Sequence, residues 1–201
     1  MYEQMLLAAG LGPVAGADEA GRGACAGPLV AAAVILPEDH QIVGLDDSKR
    51  LSEAKREELF PLIHEQALAV SCVILEAADC DTMGIQKANL HALRLAVEAL
   101  SISPGFVITD GFAVPGLGIP SVGMWKGDQV SPWVSAASIV AKVTRDRIMV
   151  ALDATYPRYE FSRHKGYATP LHQRHLDEYG PCPQHRMSYG NVARTARVEP
   201  S

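Results

Sequence analysis

No stretch of this chain approaches the ~18 consecutive apolar residues that a membrane span requires; the best run, Leu29 to Leu36, is far too short. The N-terminal segment MYEQMLLAAGLG carries Glu3 and no basic residue, which argues against a secretory signal peptide. Cysteine is sparse: Cys25, Cys72, Cys80 and Cys182 are scattered without CxxC spacing, so reduced thiols suit the chain better than a disulfide framework. A cytoplasmic location is the resulting expectation. The glycine-rich stretch GADEAGRG lacks the GK[ST] of a mononucleotide loop and is followed by a strand-like run, which excludes that reading. Repeats and low-complexity segments are absent. The chain is also not basic: its formal net charge of −5 speaks at first against a nucleic-acid partner.

What remains is an ordinary globular composition, 48% hydrophobic and 20% charged over 201 residues, enough for one domain with a real core. The charge is unevenly spread. Residues 1–120 hold 7 Lys+Arg against 16 Asp+Glu, and residues 121–201 hold 11 against 7. A basic half beside an acidic half fits a phosphate-binding face next to a carboxylate-rich site, and equally fits uneven surface charge with no function.

Short apolar runs at Pro13–Asp18, Pro28–Leu36, Val70–Leu75, Gly105–Asp110 and Ile119–Trp125 predict strands. Ser52 reads as the N-cap of a helix to about Ala67, with Pro61 expected to kink it. A three- and four-residue apolar period predicts a helix over Ile85–Leu100. Ser131-Pro132 opens a long helix to about Ala154, and another is expected near Leu171–Tyr179. Strands joined by helices give an α/β or α+β sheet flanked by helices. Residues 181–201, rich in Pro, Gly, Arg and Ser, read as a tail to a domain over 1–180.

Asp18-Glu19 closes a short strand, where adjacent like charges are a poor structural choice unless a cation relieves them. A solvated acidic turn is the plain alternative. Asp110 closes FVIT in the same way, and Asp128 precedes the long helix. Acids at neighbouring strand ends converge on one sheet edge. Four of them suit Mg²⁺ or Mn²⁺, and two ions ~4 Å apart would serve phosphodiester hydrolysis. On the long helix Ser135, Ser138, Lys142 and Arg145 fall on one stripe, either a phosphate reader or a solvated face. Gly21 and Gly23 would let backbone amides approach a ligand closely. His172, His175, Cys182 and His185 are zinc-ligand types, against which stands the simpler reading of surface histidines.

The segments GADEAGRGACAGPLVAAAVIL, LDDSKRLS, ITDG, KGD, SAASIVAKVTRDR and HKGYATPLH occur in order from residue 16 to 172, and together they resemble bacterial type 2 ribonuclease H, ribonuclease HII. The resemblance implies a ribonuclease H-like fold: a mixed five-stranded sheet flanked by helices, with a helical C-terminal part. It implies hydrolysis of RNA in RNA/DNA hybrids and incision 5′ to single ribonucleotides in duplex DNA, leaving 3′-hydroxyl and 5′-phosphate ends. The family's metal-site acids fall on Asp18, Glu19, Asp110 and Asp128, holding Mn²⁺ or Mg²⁺, two ions with substrate bound. Its ribose-sensing turn falls on Gly21, Arg22 and Gly23, its junction-reading tyrosine on Tyr167, and its phosphate contacts on Lys49, Ser138, Lys142 and Arg145.

Type 3 ribonuclease H, the nearest rival, carries an extra N-terminal domain and usually a glutamate as fourth acid. Here the motif begins at residue 16 and that acid is Asp128. A monomer is expected. The tail shows no clamp-binding box of the Qxx-aliphatic-xx-aromatic kind.

Overall fold

A computed structural model describes residues 2–196 of the chain. The last five residues of the expected tail lie outside the described residues. The elements in order are α1 (Tyr2–Ala8), β1 (Val14–Ala20), β2 (Leu29–Ile35), α2 (Glu53–Gln66), β3 (Ala69–Leu75), α3 (Ala77–Met83), α4 (Ile85–Glu98), β4 (Phe106–Asp110), β5 (Ser121–Met124), α5 (Gly127–Val130), α6 (Pro132–Thr155), α7 (Phe161–His164), α8 (Pro170–Tyr179) and α9 (Gly190–Thr195). Among the described residues no helix is long and apolar enough to cross a membrane.

The five strands form one sheet in the order β3-β2-β1-β4-β5. β1 and β2 pair antiparallel, as do β2 and β3, whereas β1/β4 and β4/β5 are parallel, so the sheet is mixed. Both faces are covered. Ala15, Ala17, Ala31 and Ala33 pack with Ala88, Ala92, Leu93 and Ala96 of α4 on one side. Val30, Ala32 and Val34 pack with Leu59 and Ile63 of α2 and with Trp133, Ala137 and Val140 of α6 on the other. The alanine-rich strands hold the helices close, and at Gly16 a Cβ would sit 2.2 Å from the Trp133 carbonyl carbon, so only glycine permits the α6–β1 approach.

Local signals set the helix ends. The Ser52 hydroxyl accepts from Lys55 N, and α2 runs through Pro61 without interruption. The Ser131 hydroxyl accepts from Val134 N, with Pro132 at the first helical position of α6. Helix α3 is absent from the sequence reading because AADCDTM has no apolar period; its start is a capping box between Glu76 and Asp79.

The segment after Gly180 packs into the fold. His185 and Arg186 are buried, and Val192 of α9 packs with Leu176 and Cys25. Arg186, 0% exposed, donates to the carbonyls of Gly21 at 2.8 Å and Gly27 at 2.9 Å and approaches that of Arg22 at 3.3 Å. The histidines are equally internal. Cys182 N–H donates to His185 Nδ1 at 2.9 Å, which leaves the His185 Nε2–H to donate to His172 Nε2 at 2.9 Å. His172 Nδ1–H then donates to the Tyr167 carbonyl at 3.0 Å. With both rings engaged in this neutral chain and His175 stacked on Tyr179, no zinc set forms from them.

Burial first, and neighbouring imidazoles second, push His172 down to about 3 and His185 to about 4. Because the unfolded chain binds these protons near pH 6.5, the folded state loses stability as pH falls from about 6.5 toward 4. In thermal melts across that range His185→Gln should show a shallower decline than the unsubstituted chain; parallel curves would mean that the imidazole chain does not govern acid stability.

Candidate active site

Parallel pairing places Ala17 opposite Thr109, so Asp18 and Asp110 are the next residues on adjacent strands and point to the same face. Asp128, on the short helix α5, joins them. Oxygens of Asp18, Asp110 and Asp128 lie within 4.8 Å of one another, the one such group of metal-capable ligands found among the described residues. The Gly127 N–H donates to Asp110 Oδ1 at 2.8 Å and the Glu19 N–H to Asp18 Oδ1 at 2.7 Å.

Glu19 does not enter this triad. Successive strand residues face opposite ways, so Glu19 turns toward the α4 side, where Asn89 is buried beside it. Its Oε1 lies 3.5 Å from Arg22 Nε.

The acids repel. Burial above all, then the charges of Glu19 and Asp110, holds Asp18 well above the ordinary carboxylate range. Burial, with Asp110 and Asp47 beside it, raises Asp128 to about 6. Burial also raises Glu19, with Arg22 opposing. Burial draws the Lys49 ammonium down, but Asp18, Asp47, Asp128 and Asp110 around it raise it overall. Lys49 Nζ is 3.9 Å from Asp128 Oδ2 and its side chain is largely exposed, so one mobile cation offsets little of the negative charge. Asp18 Oδ2 and Glu19 Oε2 are buried with no hydrogen-bond partner. Unpartnered carboxylate oxygens in a like-charged cluster fit a hard divalent cation.

Beside the acids, Gly21, Arg22 and Gly23 form a tight turn. Gly21 has φ +92°, and a Cβ there would lie 2.0 Å from Arg145 Nε. Because a trans peptide points its C=O and N–H in opposite directions, carbonyls held inward by Arg186 turn the N–H groups of Arg22 and Gly23 outward. Tyr189 OH also donates to the Arg22 carbonyl. A groove of about 190 Å³ runs from this turn past Ser48, Lys49 and Lys142 to Tyr167. The Tyr167 ring, 37% exposed, lies 5.8 Å from Lys142 Nζ and 5.4 Å from Arg145 Cζ.

Two sequence assignments are corrected. Arg145 is fully buried and donates to the carbonyls of Pro28, Ala26 and Lys165 at 2.9, 3.0 and 2.8 Å, so no phosphate reaches it. Ser138 is also buried, and its hydroxyl donates to Ser48 Oγ at 2.8 Å. The stripe they share faces inward because α6 is buried around most of its circumference. Of its residues Lys142 alone lines the groove, in an ion pair with Asp146 at 2.7 Å. The sequence reading missed Asp47, Asn89 and Arg186. The first two carried no local signal apart from their polarity, and Arg186 stood in a stretch read as tail.

A mixed five-stranded sheet with helices on both faces and carboxylates crowded at its parallel strand ends defines a nuclease of the ribonuclease H-like class. A family model for ribonuclease HII matches residues 15–192. The ribonuclease HII of Cutibacterium acnes is 62% identical across all of this chain and 99% of its own length. That of Rhodococcus erythropolis is 56% identical across 98% of this chain and 88% of its own. Among solved structures, ribonuclease H2 from Pyrococcus horikoshii superposes with a TM-score of 0.80 at 27% identity, covering 91% of this chain and 96% of that one. Ribonuclease HII of Archaeoglobus fulgidus, seen in a complex with PCNA, gives 0.78 at 27%, covering 93% and 98%. The chain belongs to the ribonuclease HII family. It is a metal-dependent endoribonuclease acting on RNA/DNA hybrids.

Asp18→Asn should raise the melting temperature of the metal-free chain by about 3 °C or more, since it removes a buried, repelled charge. An unchanged or lower value would mean that the acids do not strain the empty site. Arg186→Met leaves several carbonyls unpaired and should cost ~3 kcal/mol in urea unfolding, against ~1 kcal/mol for Tyr189→Phe. A loss below ~0.5 kcal/mol for Arg186→Met would contradict the pinning of the turn.

Proposed function

We propose that the chain incises duplex DNA 5′ to a single embedded ribonucleotide, besides cutting longer hybrids, with Asp18, Glu19, Asp110 and Asp128 as its metal-binding acids. The observation that carries this reading is the carboxylate triad, with Asp18 Oδ2 buried and unpartnered, next to a groove lined by Gly21, Arg22 and Gly23. Divalent cations held there, Mn²⁺ or Mg²⁺ and two with substrate bound, would supply the positive charge that activates a water in line with the scissile P–O bond and stabilises the leaving 3′ oxygen. Products then carry 3′-hydroxyl and 5′-phosphate ends. Glu19 contributes from the neighbouring face once its contact with Arg22 yields.

The chain's own groups position the substrate. The outward amides of Arg22 and Gly23 are donors suited to the ribose 2′-hydroxyl, the group that separates RNA from DNA. Water is the nucleophile, so that hydroxyl identifies the site and does not attack. The half-exposed Tyr167 ring packs on the sugar of the deoxynucleotide that follows the ribonucleotide. Lys49 and Lys142 meet backbone phosphates, which contribute affinity without sequence preference. The catalytic unit, expected over residues 1–180, also takes in the described residues that follow, since Arg186 and Val192 pack into it, and the protein acts as a cytoplasmic monomer.

Asp110→Asn should reduce cleavage of a duplex with one ribonucleotide by at least ~10³-fold, a loss appropriate to groups acting as a unit. Tyr167→Ala should lose about tenfold more activity on that duplex than on a long hybrid, because stacking is geometry-dependent and a long hybrid offers many registers. Mapping of labelled ends with and without Mn²⁺ or Mg²⁺ checks both. Cleavage 3′ to the ribonucleotide, metal-independent turnover, or equal losses on the two substrates would each remove part of the proposal.

A further inference from the structure

Beyond the groove that leads to Tyr167, a second groove of about 280 Å³ opens on the other side of the acids. Asp110 and Asp128 line it, and Phe112, Trp125 and Lys126 form its outer end; Arg22 and Lys49 line both grooves and mark where they meet.

Trp125 is 83% exposed, whereas the chain's other tryptophan, Trp133, is 2% exposed in the core. A tryptophan with most of its ring in water adds little to folding and is an unfavourable surface residue unless something packs on it. Its pose is built. Lys126, next in the chain, holds a left-handed backbone at φ +56°, a strained conformation for a residue with a side chain. The turn is tied down on its far side by the Gly127 N–H bond to Asp110. The exposed Trp125 therefore stands on a turn whose backbone is tied to one of the acids. Across the groove the Phe112 ring is held by the Arg22 guanidinium, 4.6 Å above its centroid. Lys126 is itself exposed, so a cation stands beside the ring where a polyanion would pass.

We propose that this groove is the subsite for the nucleotide immediately 5′ of the scissile phosphate, the one that leaves with the new 3′-hydroxyl, with Trp125 packing on its sugar and Lys126 on its phosphate. The polarity rests on the function proposed above. If Tyr167 takes the nucleotide 3′ of the ribonucleotide, and the Gly21–Gly23 turn the ribonucleotide itself, a strand continuing past Asp110 and Asp128 enters the Trp125 groove in the 5′ direction. Charge supports a strand as occupant: Arg22, Lys49 and Lys126 border the path, and of its acids Asp47, Asp110 and Asp128 the last two would be neutralised by cations.

Trp125→Ala should raise KM on a duplex with one ribonucleotide about fivefold, with kcat within about twofold, and Trp125→Phe should restore most of the loss. The direct test is hydroxyl-radical footprinting of the same duplex bound to full-length Asp110→Asn protein. Protection should cover sugars on both sides of the scissile phosphate, and adding Trp125→Ala should abolish it at one or two sugars on the 5′ side of the cleaved strand alone. Protection retained there, or lost on the complementary strand instead, would overturn the subsite. Cleavage by the Asp110→Asn protein, or no footprint around the ribonucleotide, would instead defeat the underlying function, so the two failures are separable.

Discussion

β1 and β4 lie parallel in the sheet; Asp110 ends β4, and Asp18 stands opposite it near the end of β1. That pairing forces Asp18 and Asp110 together, and α5 adds Asp128 to the same small volume. Burial above all, and then the like charges brought out of water beside them, holds Asp18 and Asp128 above the ordinary carboxylate range. The fold tolerates the conflict because hydrophobic layers on both sides of the sheet fix the strands whether or not the charges are relieved. Stability is thus withheld from the site and recovered when cations bind, the linkage expected of a metal-dependent enzyme.

The second constraint is the buried pair of arginines. Arg145 donates to backbone carbonyls alone and Arg186 to backbone carbonyls and the Tyr189 hydroxyl, and those carbonyls belong to the segment from Gly21 to Pro28 and to Lys165. In this way the C-terminal segment and the middle of α6 shape the turn that follows the first acid. The imidazole chain from Cys182 to Tyr167 does the same for the opposite wall. The groups proposed above to face substrate, at Gly21–Gly23 and at Tyr167, are therefore held by the C-terminal segment, so that proposal ties selectivity to the integrity of residues 181–196.

Much of this was legible in the sequence where local chemistry and tertiary role agree. Apolar runs bounded by glycine and proline mark β2 and β4, Ser131-Pro132 marks the start of α6, and strand-terminal acids mark the site. The failures have a common cause. Periodicity assigns faces to a helix but not the number of neighbours it has, and α6 is surrounded, so Ser138 and Arg145, expected as phosphate contacts, lie in the interior. A tail rich in Pro, Gly and Arg looks mobile by composition, yet Arg186 finds carbonyl partners more than 150 residues away in sequence. Glu19 sits next to Asp18 in sequence and on the opposite face in space, a consequence of the two-residue strand period.

The central claim is that the crowded carboxylates are a cation site whose repulsion the ion relieves. Calorimetric titration of Mn²⁺ into the metal-free chain tests it most directly. The account predicts saturable binding that strengthens as pH rises from about 5 to 7, as protons held by the acids are displaced, and that is lost in Asp110→Asn. Equal affinity in Asp110→Asn and in the unsubstituted chain would contradict it.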